Sequence, residues 1–299
     1  MKKIIFDHDL GSDCDDGGAG AIFAKAHRDG LIDLLAVTHA IANPYGQYCM
    51  EAIFEYLGAK GVAFGYNLEN TLGCEEDYHM STKGPAERYY TEKGRPFPEQ
   101  KSNCKLLRKI LAENGGKKDI TVAMTGPLTT LHELYLSEPD EISPKTGREL
   151  AEENFERIII AAGNFQSYEV REWNIRCDAE SALAVLNNSS IPILYSGNEV
   201  GGCIISGQTL ADEPEDYPLR DCYYELNAAY KIEACTRNSW DLVIAHYAVY
   251  GDTGLWGETT DFRLKLMPRG GQNSRPEGFT AIWFLITLRP MRLSVFSTG

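Results

Sequence analysis

The sequence predicts an α/β fold, with an open and mostly parallel sheet and helices on both faces. Short apolar runs alternate along the chain with segments whose apolar residues recur at helical spacing. Parallel strands that are joined by crossover helices produce this alternation. The 299 residues contain no internal repeat and no low-complexity linker, so we expect one domain over residues 1–299 with insertions, not two domains.

Five segments are predicted strands, because each is a short run rich in apolar residues. They are residues 3–6, 31–38, 120–124, 157–162 and 191–195. Five segments between them are predicted helices, on the spacing of their apolar residues. They are residues 16–28, 47–57, 104–114, 128–136 and 179–186. Ligands of such sheets bind outside the carboxyl ends of the strands, so the polar residues that follow the predicted strands are site candidates.

The composition restricts the possible partners. Acidic residues number 43 against 29 basic ones, for a net charge of -14 and a pI of about 4.9. Nucleic acids and anionic membranes select basic surfaces, so we expect neither as a partner, whereas a small neutral molecule is compatible. No apolar run approaches the ~20 residues of a membrane span, and the N-terminal residues lack the apolar core of a signal peptide. The eight cysteines include no Cys-x-x-Cys pair, which favours reduced thiols and a cytoplasmic protein.

The stretch over residues 263–299 is an atypical C-terminal tail. It carries six basic residues and one acid in an otherwise acidic chain, and residues 279–299 are apolar with little turn punctuation. Two interpretations stay open, a terminal strand pair and a sequence altered by a frameshift. The coding DNA, or the mass of the intact protein, distinguishes them.

The stretch FDHDLGSDCDD, residues 6–16, crowds five aspartates directly behind the first predicted strand. They are Asp7, Asp9, Asp13, Asp15 and Asp16. Carboxylates this close repel one another, which raises their pKa values unless a cation compensates. A hard divalent cation such as Ca²⁺ takes ~6–8 oxygen ligands, and a strand end that turns at Gly11 can aim several carboxylates at one ion. An aspartate left beside a metal-bound water is then placed to act as a general base.

Three other interpretations of this loop fit less well. An EF-hand needs Gly at its sixth position and Glu at its twelfth, but counting from Asp7 puts Gly11 fifth and Gly18 twelfth. A phosphatase of the haloacid-dehalogenase type would use Asp7 as nucleophile and Asp9 as acid, but it requires Thr or Val where Gly11 stands. A solvated acidic cluster that opens a helix suits one or two aspartates, since the helix dipole favours them, but not five.

The loop resembles the signature D-x-D-x-G-x-D-D of the inosine-uridine-preferring nucleoside hydrolases, with an apparent insertion that contains Asp13. Four further stretches resemble the family's motifs and occur in its order. They are LLAVTHAIANPYG, VAMTGPLTTL, AAGNFQSYEVREWNIRCDAESA and RNSWDLVIAHYAV. The resemblance covers about residues 2–250 and fades in the tail. It implies the family's fold, with a Rossmann-like core, and hydrolysis of the N-glycosidic bond of a ribonucleoside to ribose and free base.

The resemblance also implies a role for each acid. The implied ligands of a calcium ion are three carboxylates and one backbone carbonyl, those of Asp9, Asp16, Asp241 and Thr125. Asp15 would accept the proton of the attacking water, and the insertion keeps Asp13 open as the alternative base. Asp7 would support the loop from behind the metal ligands or add a charge near the metal.

The implied substrate is a nucleoside. Its ribose would be contacted by four polar side chains, those of Asn43, Asn164, Glu172 and Asn174. Trp240 stands where better-known members of the family have the His that protonates the leaving base. Purine-preferring members stack the base between aromatic rings instead, and Trp240 suits that role. His79 lies in a predicted lid but lacks the family's His-Gly signature.

Two other functions stay open from the sequence. One is phosphatase chemistry on Asp7, and the other is a non-catalytic, calcium-stabilised nucleoside or sugar binder. The missing His and the pair Gly17-Gly18 motivate the second, because each glycine costs a helix interior about 1 kcal/mol relative to Ala. We therefore expect a helix start that is looser than usual or packed very closely against the sheet. Family members are usually dimers or tetramers, so the resemblance implies a homodimer or homotetramer.

Overall fold

The computed structural model describes residues 1–74, 80–166, 172–232, 234–259 and 283–288. Up to residue 124 the elements are β1 (Lys2–His8), α1 (Asp15–Arg28), β2 (Ile32–His39), α2 (Pro44–Tyr56), β3 (Ala63–Phe64), α3 (Lys83–Tyr89), α4 (Asn103–Asn114) and β4 (Ile120–Met124). They continue with α5 (Thr129–Leu136), α6 (Gly147–Asn154), β5 (Phe155–Ala161), α7 (Trp173–Cys177), α8 (Ala179–Asn188), β6 (Ile193–Ser196), α9 (Asn198–Gly202), β7 (Ile205–Ser206), a 3-10 helix (Gln208–Asp212), α10 (Pro218–Ala229), β8 (Arg237–Asn238), α11 (Trp240–Tyr250), β9 (Trp256–Thr259) and β10 (Trp283–Leu288).

Every predicted strand and helix is present, with boundaries that shift by a few residues for local reasons. The helix α2 begins at Pro44, earlier than predicted, because the Asn43 side chain caps it by accepting a hydrogen bond from the Tyr45 N–H. The strand β1 extends through His8, so that Asp7 lies inside the strand and Asp9 directly follows it. The acidic loop therefore runs from Asp9 to the first turn of α1.

The described strands form one main sheet with the order β3-β2-β1-β4-β5-β6-β10-β9. Neighbours are parallel except β9, which runs antiparallel to β10. The first six strands have the order of a doubly wound fold, in which the chain moves outward from β1 in one direction and then from β4 in the other. This arrangement confirms the predicted fold class, and it opens a crevice at the carboxyl ends of β1 and β4.

Helices cover both faces of the sheet, because side chains alternate across each strand. Ile4 and Phe6 of β1 pack on one face with buried residues of α1, α2, α10 and α11. Ile5 packs on the other face with residues of α4, α5, α6 and α8. Both layers bury β1, which explains the apolar run over residues 4–6 at its centre.

The pair Gly17-Gly18 lies where α1 meets two other helices. A Cβ atom on Gly17 would lie 2.9 Å from Leu219 Cδ1, and one on Gly18 would lie 2.8 Å from Leu242 Cδ1. The start of α1 is therefore closely packed, as one of the two expectations held. It packs on α10 and α11, however, and not on the sheet as expected. The glycines allow α1 to bring its first acidic turn against α11.

The atypical tail contributes β10 to the sheet, between β6 and β9. The remainder of residues 263–299 lies outside the described part of the chain, so the choice between a native and a frameshifted tail stays open. Among the described residues, no helix is both long enough and apolar enough to cross a membrane.

Candidate active site

A cavity of about 590 Å³ lies at the carboxyl ends of β1, β4, β5 and β6. Asp9 follows β1, Thr125 follows β4, Ala162 follows β5 and Ser196 ends β6, and all four line the cavity. Most of the predicted site residues also line it. They are Asp9, Asp15, Asp16, Thr125, Glu172, Asn174, Trp240 and Asp241. The fold thus brings together side chains that are far apart in sequence, at the edge of the sheet where ligands of such folds bind.

Asp16 and Thr125 connect the ends of β1 and β4. The Thr125 hydroxyl donates a hydrogen bond of 2.7 Å to Asp16 Oδ1, and the Asp9 N–H approaches the same oxygen at 3.4 Å. The Thr125 N–H donates to the Asp7 carbonyl at 2.8 Å. Asp16 is therefore held in the crevice between β1 and β4, where the strand order reverses, by groups at the carboxyl ends of both strands.

Asp15 and Asp241 meet where the first turns of α1 and α11 approach each other. The backbone N–H of Asp241 donates a hydrogen bond of 3.1 Å to Asp15 Oδ2. Both side chains are buried and line the cavity. Acids in the first turn of a helix interact favourably with its dipole, which offsets part of the cost of burying them.

Ser81 anchors the acidic loop, and no sequence pattern selects it as a site residue. Its hydroxyl lies 2.7 Å from the Gly11 carbonyl and 2.8 Å from the Asp13 carbonyl, and its N–H donates to the Gly11 carbonyl at 3.1 Å. The loop is thereby tied to a segment almost seventy positions away. A serine between two unremarkable residues carries no pattern that a sequence can reveal.

Burial is the main cause of raised pKa values in the acidic loop. It raises the pKa of Asp16 to about 7, although the Thr125 hydroxyl acts in the opposite direction. Burial, followed by repulsion from neighbouring carboxylates, also raises the pKa of Asp9, Asp15 and Asp241 well above the ordinary range. The carboxylates therefore need a positive charge if all of them are to stay ionised at neutral pH.

Glu172 and Asn174 are held rigidly on the opposite wall. The Glu172 carboxylate caps α7, accepting hydrogen bonds from the N–H groups of Asn174 at 2.8 Å and Ile175 at 3.0 Å. The Asn174 amide donates to the Thr125 carbonyl at 2.7 Å and to the Ala161 carbonyl at 2.9 Å. These bonds fix both side chains against the ends of β4 and β5.

Asn43 and Asn164 are not among the residues that line the cavity. The Asn43 side chain is buried and caps α2. The Asn164 side chain accepts a hydrogen bond of 3.2 Å from the Gln166 N–H, just before residues 167–171, which lie outside the described chain. Their contacts with ribose stay predictions. His79 also lies outside the described residues.

Asp7 lies behind the cavity wall. It is buried within β1, its carboxylate accepts a hydrogen bond of 2.5 Å from the Thr38 hydroxyl, and it is absent from the cavity lining. Burial raises the pKa of Asp7 to about 7. This position suits support of the loop, and it does not suit a phosphatase nucleophile, which must reach its substrate.

The family model described as "inosine-uridine preferring nucleoside hydrolase" matches residues 4–246, which is most of the chain. The chain belongs to this family. It is therefore a nucleosidase, a hydrolase that acts on N-glycosyl bonds. No curated protein gives a match.

Several solved structures share the fold of this nucleoside hydrolase. A plant nucleoside hydrolase is 20% identical, with a TM-score of 0.60, over 96% of this chain and 87% of its own. The inosine-uridine preferring nucleoside hydrolase from Bacillus anthracis is 19% identical, with a TM-score of 0.61, over 87% of this chain and 85% of its own. An inosine-guanosine nucleoside hydrolase is 18% identical, with a TM-score of 0.63, over 96% of this chain and 94% of its own. At these identities the likeness shows the fold.

Nucleoside hydrolases of this family are metal-dependent, and the donor set of this cavity fits a hard cation. Its acids offer carboxylate oxygens, and the Thr125 carbonyl keeps a lone pair beside its bond from Asn174. Within the described ranges, however, no three acidic, His or Cys side chains converge closely enough to hold a metal as they stand.

Trp240 and Arg237 form the wall next to Asp241. The Trp240 indole N–H donates a hydrogen bond of 2.8 Å to the Asn198 carbonyl. The Arg237 guanidinium carbon lies 5.2 Å from the centre of a Trp240 ring. Arg237 is also paired with Asp13, so this aspartate of the acidic loop has a cationic partner. The sequence placed Arg237 inside the motif RNSWD but gave it no role, because its partner lies 224 residues away.

Proposed function

We propose that this nucleosidase is a calcium-dependent ribonucleoside hydrolase that prefers purine nucleosides. The single observation that supports it best is the shared cavity, in which four buried carboxylates face Glu172, Asn174 and Trp240. Those four are Asp9, Asp15, Asp16 and Asp241. One wall has the oxygen donors that a hard cation and ribose hydroxyls require, and another has an aromatic surface for a base.

Asp9, Asp16, Asp241 and the Thr125 carbonyl are the proposed calcium ligands. When bound, calcium supplies a site for the ribose hydroxyls and lowers the pKa of a coordinated water. The hydrogen bond from Thr125 Oγ1 orients the Asp16 carboxylate, and its backbone N–H is anchored on β1. The proposed ligands are thus held by the backbone at the carboxyl ends of β1 and β4.

Asp15 is the proposed general base. Its Oδ2 atom accepts the Asp241 N–H, which orients the carboxylate that would accept a proton from the attacking water. Asp13 is a poorer candidate, because its carboxylate is engaged by Arg237. Glu172 and Asn174 are proposed to hold the ribose hydroxyls. The carboxylates also stabilise the positive charge that develops on the ribose ring in an oxocarbenium-like transition state.

Trp240 supports the preference for purines, because a purine presents two fused rings to an aromatic face and stacks more extensively than a pyrimidine. Uridine and cytidine are then poorer substrates than inosine, guanosine and adenosine. The homodimer or homotetramer and the cytoplasmic location stay predictions, which light scattering and cell fractionation test.

Ribose release from inosine, guanosine, adenosine, uridine and cytidine tests the proposal. We expect release from the purine nucleosides that a chelator abolishes and that added Ca²⁺ restores, with Mg²⁺ as the comparison ion. A matched control is Asp29→Asn, which removes an exposed acid paired with Arg28 far from the cavity. The absence of chelator-sensitive ribose release from all five nucleosides would reject calcium-dependent hydrolysis. Faster release from pyrimidine nucleosides would reject the purine preference alone.

A further inference from the structure

Cleavage of the N-glycosidic bond leaves its electron pair on the base, and some group must offset the charge that develops there. The Trp240 indole has a single N–H, and that N–H is already donated to the Asn198 carbonyl at 2.8 Å. Trp240 therefore provides a stacking surface but no donor for the base. A hydrogen bond to the departing base must therefore come from another residue or from solvent.

Arg237 is the one cationic side chain among the described residues that line the cavity. It lies in β8, where it pairs with Ser206 of β7. The Ser239 hydroxyl bonds that of Ser206 at 2.8 Å, and the next residues are Trp240 and Asp241 at the start of α11. The backbone at Arg237 is therefore fixed relative to the proposed stacking ring and to a proposed calcium ligand.

Asp13 holds the guanidinium of Arg237 from one side. Arg237 Nε donates to Asp13 Oδ1 at 2.8 Å, and Nη2 donates to Asp13 Oδ2. Asp13 is itself anchored, since its Oδ1 accepts the Cys14 N–H at 2.7 Å and its carbonyl meets the Ser81 hydroxyl. Two nitrogens of the guanidinium, Nε and Nη2, thus donate to Asp13. The third nitrogen, Nη1, has no hydrogen-bond partner among the described residues.

The surroundings of Arg237 keep it a cation. Burial opposes the charged form, but the hydrogen bonds from Arg237 to Asp13 outweigh this and raise the pKa of Arg237 above its usual value. The guanidinium also lies over the rings of Trp240, at 5.2 Å, and Tyr230, at 5.9 Å. An arginine in this setting does not donate a proton outright, but it donates hydrogen bonds to a forming anion.

We propose that Arg237 stabilises the departing base by a hydrogen bond from Nη1 to a ring nitrogen or carbonyl oxygen of that base, and that Asp13 positions Arg237 for this contact. This inference rests on the proposed nucleoside hydrolysis. The bond between the anomeric carbon and the base nitrogen breaks, and its electron pair goes to the base. Water forms the new bond to the anomeric carbon and gives one proton to Asp15, and the base takes one proton from solvent.

The negative charge of Asp13 has a second consequence. An unpaired cation near the cavity would oppose the positive charge that develops on the ribose ring. The Asp13–Arg237 pair is neutral overall, yet Nη1 still presents a directed donor. The pair therefore assists the base without raising the energy of the ribose cation, which a solitary arginine would do.

Two substrates with different leaving groups test the inference. Inosine releases a base that needs stabilisation, whereas p-nitrophenyl β-D-ribofuranoside releases an anion that is stable by itself. For Arg237→Gln we expect kcat for inosine to fall by roughly 10²-fold, the usual effect of removing one preorganised donor, and kcat for the nitrophenyl riboside to fall by less than about threefold. Arg237→Lys should recover part of the loss on inosine. Asp13→Asn should lower kcat for inosine selectively, by about tenfold, because Arg237 is then less well positioned.

The comparison is the ratio of the two rates in one preparation, so that a loss of folded enzyme cancels. Arg88→Gln is the matched control, because it removes a partly exposed arginine paired with Asp221 and Glu225 outside the cavity, and we expect an unchanged ratio. Equal losses on both substrates in Arg237→Gln would overturn the inference and leave Arg237 a structural residue. If that variant does not fold, the ratios of Arg237→Lys and Asp13→Asn decide in the same way. A wild-type enzyme that hydrolyses neither substrate would overturn the proposed function, and the inference with it.

Discussion

Asp16 in the acidic site and Asp140 in the loop between α5 and α6 both accept several hydrogen bonds, yet their pKa values shift in opposite directions. Burial raises the pKa of Asp16 to about 7. Hydrogen bonds from Arg108 lower the pKa of Asp140 to about 2. The Arg108 guanidinium donates to Asp140 Oδ1 at 2.6 Å and to Oδ2 at 3.0 Å. The two aspartates differ in burial, since Asp16 is buried and Asp140 is exposed, and in a protein cation, which Asp140 has and which the described residues do not provide to Asp16.

This difference separates a site from a structural support. The Arg108 clamp consists of Arg108 and the groups that accept its hydrogen bonds, on Ser137, Asp140, Ser143 and Lys145. Its charges are balanced internally, so it holds α4 against the loop before α6 and needs nothing further. The acidic site leaves several like charges buried together, which costs stability unless a ligand compensates. Strongly perturbed and unbalanced carboxylates in a cavity indicate function for this reason.

The largest expected effect is on activity, from Asp15→Asn. We expect kcat for inosine to fall by ~10²–10⁴-fold, because a general base contributes that much. The same change should raise the melting temperature measured in chelator, since it removes one of the mutually repelling buried charges. Steady-state kinetics and thermal melts check the two parts. Asp29→Asn is the control, and a kcat within threefold of wild type in Asp15→Asn would contradict the assignment of the base.

Gly46→Ala tests whether the position of the acidic loop matters as well as its charge. A Cβ atom at Gly46 would lie 2.0 Å from the Leu10 carbonyl oxygen and 2.5 Å from His39 Nε2, so the loop next to Asp9 must move. We expect kcat to fall by roughly 10²-fold, because a displacement of about 1 Å has that effect on catalytic geometry. In Gly84→Ala, the new methyl group meets only the ends of flexible side chains, and kcat should not change. Unchanged kinetics in Gly46→Ala would show that the loop tolerates displacement.

Arg108→Ala should lower the stability of the protein without lowering its activity, which is the opposite of the effect expected for Asp15→Asn. The side chain is almost fully buried, and its removal takes the donor from the Lys145 carbonyl and one of two donors from the Ser143 carbonyl. We expect the melting temperature to fall by roughly 5–10 °C, with kcat per folded molecule unchanged. Arg148→Ala, which removes an exposed arginine paired with Glu152, should lower it far less. A variant of Arg108 that loses kcat at full stability would undo the separation of the two regions.

The smallest effect concerns the pH dependence of stability at Asp140. Because the folded-state pKa of Asp140 is depressed to about 2, its ionised form contributes stability above the unfolded pKa of ~4. That contribution disappears as the pH falls through about 2. Wild type should therefore melt slightly above Asp140→Asn at pH 7, and the two curves should converge between roughly pH 4 and pH 2. Thermal melts across this range check it, and a difference that persists at the lowest pH would contradict the depressed pKa.

Much of the fold was predictable from local pattern. The run at residues 120–124 became β4 with the predicted bounds, because a strand buried on both faces is mostly apolar. Boundaries that depend on capping were less predictable, as with α2, which Asn43 starts before its apolar spacing becomes visible. The glycines at the start of α1 left a loose start and close packing on the sheet both open, and the start is closely packed on α10 and α11, which no local pattern identifies.

The candidate site divides in the same way. Asp9, Asp15, Asp16 and Asp241 were selected from the crowding of acids and from motif resemblance, and they line one cavity. Asp13 had no assigned role, because its partner Arg237 is remote in sequence and either residue alone suggests only a charged surface. Asn43 was predicted to contact ribose, which stays a prediction, and the structure shows that its side chain caps α2.

The strand and helix order, the acidic loop and the family can be recognised from the sequence, because apolar periodicity and short motifs are local properties of a chain. The partners of the charged side chains can be known only from the folded structure. Asp13 has Arg237 and Asp140 has Arg108, while Asp16 accepts hydrogen bonds from neutral donors, the Thr125 hydroxyl and the Asp9 N–H. Electrostatic energy depends on distance and burial, and folding sets both between residues that the sequence separates widely.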